Sequence, residues 1–99
     1  MKTKQLPVIF RKWPEGDIDA ILPTLPGTND PYTCTFYAHI GQHSHGDPQG
    51  VIQQTKPATK KEYAGLLREL HRIGYHNLKV YRRYQYSFIN ERKKELEDI

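Results

Sequence analysis

The chain has 99 residues, a hydrophobic fraction of 36%, an aromatic fraction of 11% and a net charge of +4. That length suits one hydrophobic core and leaves no room for a second, and the apolar content excludes a disordered chain. The single cysteine, Cys34, excludes an internal disulfide, and the opening MKTKQLPVIFRKW has an apolar run too short for a signal peptide or a membrane span, so a cytoplasmic protein is expected.

Charge is uneven along the chain. Residues 1–50 carry four Lys/Arg against five Asp/Glu, a net of −1, whereas residues 51–99 carry eleven against six, a net of +5. Seven tyrosines against three phenylalanines is an unusual balance, and tyrosine suits surfaces where a ring packs and its hydroxyl stays wet.

The first element is LPVIFRKW, residues 6–13, where Leu6, Val8 and Phe10 alternate with Ile9, Arg11 and Trp13. A period of two predicts a half-buried strand. PEGD supplies a turn, and DIDAIL alternates again, with Ile18, Ala20 and Leu22 inward. Residues 23–31 contain three prolines and read as a loop. YTCTFYAHI predicts a third strand, with Cys34, Phe36, Ala38 and Ile40 on one face and Thr33, Thr35, Tyr37 and His39 on the other. GVIQQT reads as a short edge strand. The clearest signal is TKPATKKEYAGLLRELHRIG: Thr59 and Glu62 form a capping box, and Tyr63, Leu66, Leu67, Leu70 and Ile73 repeat on one helical face until Gly74. NLKVYRRY predicts a last strand, and INERKKELEDI a charged helix with too few apolar residues for a core of its own.

The fold class is therefore α+β: a small, mainly antiparallel four-stranded sheet (β-β-β-α-β) with one helix on one face and a C-terminal helical extension. Residues 1–86 form the domain and 87–99 the extension. One helix covers one face of such a sheet, so the other is expected to be open. The alternation assigns to that face Arg11, Trp13, Tyr37, His39, Lys79, Tyr81 and Arg83, with Gln42 and His43 at its rim. Aromatic rings interleaved with cations suit base stacking and phosphate contact, and equally a homodimer interface.

The turn YAHIGQHSHGD holds His39, His43, His45 and Asp47, all competent metal ligands. No CxxC or HExxH accompanies them, and a polar turn explains the same residues, so no metal and no cofactor is expected. Cys34 and His39 fall on opposite strand faces, which argues against a thiol nucleophile with its base; His39 or His43 as a general base is the one catalytic form worth testing.

VIFRKW, YAHIGQH, TKPATKKEYAGLLREL and IGYHNLKVYRR together resemble a family of small uncharacterised bacterial and phage-encoded proteins, marked by a YxHxGQH turn and a KPAT-led helix. The resemblance covers most of residues 7–84; the tail from about Ser87 and the acidic Asp19 depart from its pattern. It transfers no activity, and implies a bacterial or phage origin. By analogy with small phage proteins that bind host proteins or sequester signalling nucleotides, inhibition of host defence is one expectation. The expected function is a non-catalytic binding module for a host protein or a (cyclic) nucleotide, working through the open face. Nucleic-acid binding and a small metal-dependent enzyme using the histidine loop are the alternatives.

Overall fold

The computed structural model describes residues 5–97. The described residues form an α+β fold of six strands and three helices: β1 (Leu6–Lys12), β2 (Ile18–Pro26), β3 (Cys34–Ala38), β4 (Gln42–Gly46), α1 (Pro48–Gln54), β5 (Lys56–Pro57), α2 (Lys60–Arg72), β6 (Leu78–Val80) and α3 (Ser87–Glu97). The sheet runs β4-β3-β2-β1-β5 with antiparallel neighbours, and β6 joins β1 in parallel. Both β5 and β6 therefore attach to the same edge of β1, at its opposite ends: β6 beside Leu6–Val8 and β5 beside Arg11–Lys12.

Local sequence explains most of these elements. Thr59 and Glu62 exchange hydrogen bonds across the first turn of α2, as the capping box requires. Gly74, at φ 121°, leaves that helix through the left-handed region open to glycine. GVIQQT is helical rather than extended: Asp47 caps α1 by accepting from the Gln49 N–H at 3.0 Å, and Pro48 sits in the first turn, where its missing donor costs nothing. The turn after β3 is followed by β4, whose polar residues pair along β3 from Ala38↔Gln42 to Cys34↔Gly46. Strand β2 runs on through Pro23 to Pro26, into the predicted loop. Its pairing with β3 shifts register between Leu22 and Pro26, and such an irregularity accommodates proline in a strand.

The expected open face is closed. Against one side of the sheet, Val8, Phe10, Ala20, Leu22 and Tyr37 pack on Leu66 and Leu70 of α2. On the other, Ile9, Ile21, Cys34 and Phe36 pack on Phe88 of α3, with Val51 and Ile52 of α1 and with Tyr81 and Tyr84 around them. The physical reason was present in the strands themselves. Val8-Ile9-Phe10 and Ala20-Ile21-Leu22 are continuous apolar runs, the pattern of strands buried on both faces. Arg92, a residue 1% exposed, secures α3: its guanidinium donates to the carbonyls of Pro23 at 2.6 Å and Pro31 at 3.0 Å.

Phe88 is 2% exposed and Tyr86, two residues earlier, 83%. Phe88→Ala is expected to lower the unfolding free energy by about 3–5 kcal/mol in a denaturant titration, while Tyr86→Ala changes it by no more than about 0.5 kcal/mol. Equal effects would mean that α3 is not docked.

Candidate functional site

The nine residues assigned to one face are dispersed. Arg11 is buried and serves the fold: Nε donates to Thr55 Oγ1 at 2.9 Å, and Nη2 to the carbonyls of Ile52 and Thr55 at 3.0 and 2.7 Å, closing the C-terminal end of α1. The Trp13 indole donates to Asp19 Oδ2 at 2.8 Å, which gives that acidic residue its partner. Tyr37 lies on the α2 side rather than with Arg11. It pairs with Ala20, and Phe36 with Ile21, so the phase of β3 relative to β2 is the opposite of the one expected. Arg83 and Gln42 are exposed. Two groups remain, one at the β1 edge and one at the histidine turn.

The edge group is a slot. Because β5 and β6 attach to opposite ends of β1, a recess of about 320 Å3 opens beside Phe10, between the start of α2 and the end of β6. Phe10 and Tyr63 stack there with rings 4.3 Å apart and 9° from parallel. Val80, at the end of β6, and Tyr81 just after it form the opposite wall, and Lys60 and Arg82 supply two cations. Tyr81 is braced from behind by the edge of Phe88 at 5.3 Å, and Lys79 lies over its ring at 5.2 Å. No carboxylate lines the slot. Its volume is at the lower end of small-molecule sites, which run from about 300 Å3 upward.

The turn group centres on a residue that the strand alternation did not single out. Glu69 of α2 is 8% exposed, and its two oxygens are both engaged: Tyr37 donates its hydroxyl to Oε2, and His39 Nδ1 meets Oε1. The Tyr37 oxygen also accepts the Gly41 N–H at 2.9 Å. His43 packs edge-on against the Tyr37 ring at 4.8 Å, with Nε2 3.0 Å from the Tyr75 hydroxyl. The hydrogen bond from Tyr37, then that from His39, holds the Glu69 carboxyl below its usual range; the same bond and burial push the Tyr37 hydroxyl up. One signal for Glu69 was in the sequence: it falls three residues after Leu66, a charged residue on the apolar stripe of α2.

His39, His43, His45 and Asp47 do not converge. Among the described residues, no group of three or more His, Cys, Asp or Glu is placed to hold a metal ion. Asp47 is spent as the cap of α1. Burial pushes the Cys34 thiol up to about 12, so it stays protonated and packs as a small apolar group. No helix among the described residues is long and apolar enough to cross a membrane. No family model, curated protein or solved structure matches the chain.

A second depressed carboxyl lies on α2. Glu62 is lowered to about 2, chiefly by its hydrogen bond with Lys12 and then by the Thr59 N–H. Folded values below the unfolded one contribute stability that is present above the unfolded carboxylate range and disappears as pH falls toward the folded values. Stability is therefore expected to decline from about pH 4.3 downward. Glu62→Gln should flatten that decline in acid-unfolding curves; an unchanged curve would contradict the Lys12 pairing.

Proposed function

We propose that the protein is a binding module for a small aromatic anion of the mononucleotide class, held in the slot at the β1 edge. The observation that carries this reading is the composition of the slot: aromatic and apolar walls, two cations and no carboxylate. A nucleobase stacks against aromatic rings, and a phosphate takes charge-assisted hydrogen bonds from lysine and arginine. Tyr81 supplies a wall whose position is fixed by Phe88, so the slot is preformed and little ordering is needed on binding.

The slot binds without transforming. Its lining contains no histidine, aspartate, glutamate or cysteine able to move a proton near neutral pH. A nucleotide ligand agrees with the analogy to small phage proteins that sequester signalling nucleotides, and a cytoplasmic location belongs to the same reading. A homodimer through the sheet face is not part of the proposal, because α3 occupies that face.

Calorimetric titration with adenosine monophosphate is the direct test. One molecule per chain is expected to bind, and Lys60→Ala with Arg82→Ala should weaken it about tenfold or more, the worth of one or two charge-assisted hydrogen bonds. Arg83→Ala, outside the slot, should leave affinity unchanged. Ribose 5-phosphate, which lacks the base, should bind more weakly than the nucleotide. Equal binding by the double variant would place the ligand elsewhere.

A further inference from the structure

A second recess, of about 440 Å3, lies between α2, the β1–β2 turn and the β3–β4 turn, and shares no residue with the slot. His39 stands at its edge with a side chain 67% exposed, whereas the side chain of Glu69, its partner, is 11% exposed. The Glu69 carboxylate engages Nδ1, which leaves Nε2 as the nitrogen free to face the recess. A buried carboxylate behind an imidazole fixes its tautomer and stabilises the cation that forms when the ring takes a proton. Such an arrangement suits proton transfer, whereas anion binding gains nothing from a carboxylate there. Two cations, Arg68 and Arg72, line the same recess from α2. Three carboxylates line it: Glu62 is paired with Lys12, Glu69 with Tyr37 and His39, and Asp17 stands on the β1–β2 turn, far in sequence from the two arginines of α2.

The lining side chains include no serine, threonine, cysteine or lysine to act as a nucleophile. A base that shares its recess with two guanidinium groups therefore suits a substrate that brings its own nucleophile and carries a phosphate. RNA meets both needs through its 2′-hydroxyl and its phosphodiester, and the net charge of +4 favours encounter with a polyanion. We propose that this recess is an RNA-cleaving site in which His39 is the general base and Arg68 and Arg72 hold the scissile phosphate. His39 Nε2 takes the 2′-hydroxyl proton, the 2′ oxygen bonds to phosphorus, and the bond from phosphorus to the 5′ oxygen breaks. The departing 5′ oxygen takes a proton from water, and the imidazolium returns its proton to solvent. The products are a 2′,3′-cyclic phosphate and a 5′-hydroxyl, with no change of oxidation state. Glu69 is a positioning residue.

The test incubates the full chain with labelled single-stranded RNA of mixed sequence in excess EDTA, and identifies the ends formed. Cleavage to a cyclic phosphate and a 5′-hydroxyl is expected, with no cleavage of the DNA strand of the same sequence. His39→Gln, at an exposed position, should lower the rate about a hundredfold or more. Glu69→Gln should lower kcat about tenfold with KM unchanged, the mark of a residue that orients the base; a changed KM with the same kcat would overturn its assigned role. Thermal melts of each variant verify folding, and should Glu69→Gln fail to fold, His39→Gln decides alone. The proposal is overturned if the folded protein leaves RNA intact, if His39→Gln cleaves as fast as the parent, or if DNA is cut equally well. None of these variants touches the slot, so nucleotide binding there can succeed or fail independently.

Discussion

The burial of β1 and β2 on both faces is the constraint on which the rest of the structure depends. Val8, Ile9, Ile21 and Leu22 are all fully buried, and they point alternately to opposite sides. A sheet with two apolar faces needs a layer over each. Helix α2 covers one with its leucine stripe; α3, helped by α1, covers the other. The second layer is small: among the described residues Phe88 is the buried apolar side chain of α3, and the partly buried Val51 and Ile52 of α1 pack beside it. Arg92 adds the directional part. A buried guanidinium is costly unless its donors are satisfied, and the carbonyls of Pro23 and Pro31 satisfy them only when α3 lies where it does.

Closure of both faces moves any binding chemistry to edges and turns. The slot exists because β5 and β6 each pair with only part of β1, so the strand has a notch in its edge beside Phe10. The histidine turn is shaped from the opposite direction. Tyr37, forced onto the α2 side by its register with Ala20, brings its hydroxyl to Glu69, and Glu69 in turn meets His39. Tyr37 and His39, 32 and 30 positions away in sequence, are joined by this one buried carboxylate. The two places also differ in chemistry: cations and rings without carboxylates in the slot, an imidazole backed by a carboxylate at the turn.

Much of the fold was legible in the sequence where local signals act alone. The capping box at Thr59 and Glu62, the leucine stripe and Gly74 marked α2, and alternation marked β1 and the start of β2. Three elements were misread for different reasons, the first being Gln42–Gly46, whose polar residues suggested a turn but pair along β3 as β4. Val51 and Ile52 suggested a strand, but Asp47 and Pro48 in capping positions start a helix. Prolines 23 and 26 suggested a loop, yet an irregular register with β3 keeps them in β2. The candidate sites were less legible because they depend on the phase between strands. Alternation within β3 was correct, but nothing local tells which of its faces shares a side with Val8. Nor does periodicity show that β5 and β6 leave a gap, or that Arg11 turns toward α1.

Amide hydrogen exchange on the full chain tests most directly the claim that α3 is an integral second layer. An isolated helix shorter than about 12 residues is marginal in water, so protection of its amides must come from docking. The account predicts that the amides of α3 exchange with protection close to that of β2, in one cooperative opening. Exchange at the rate of an unfolded segment, with β2 still protected, would contradict it and would return the Ile9, Ile21 and Phe36 face to solvent.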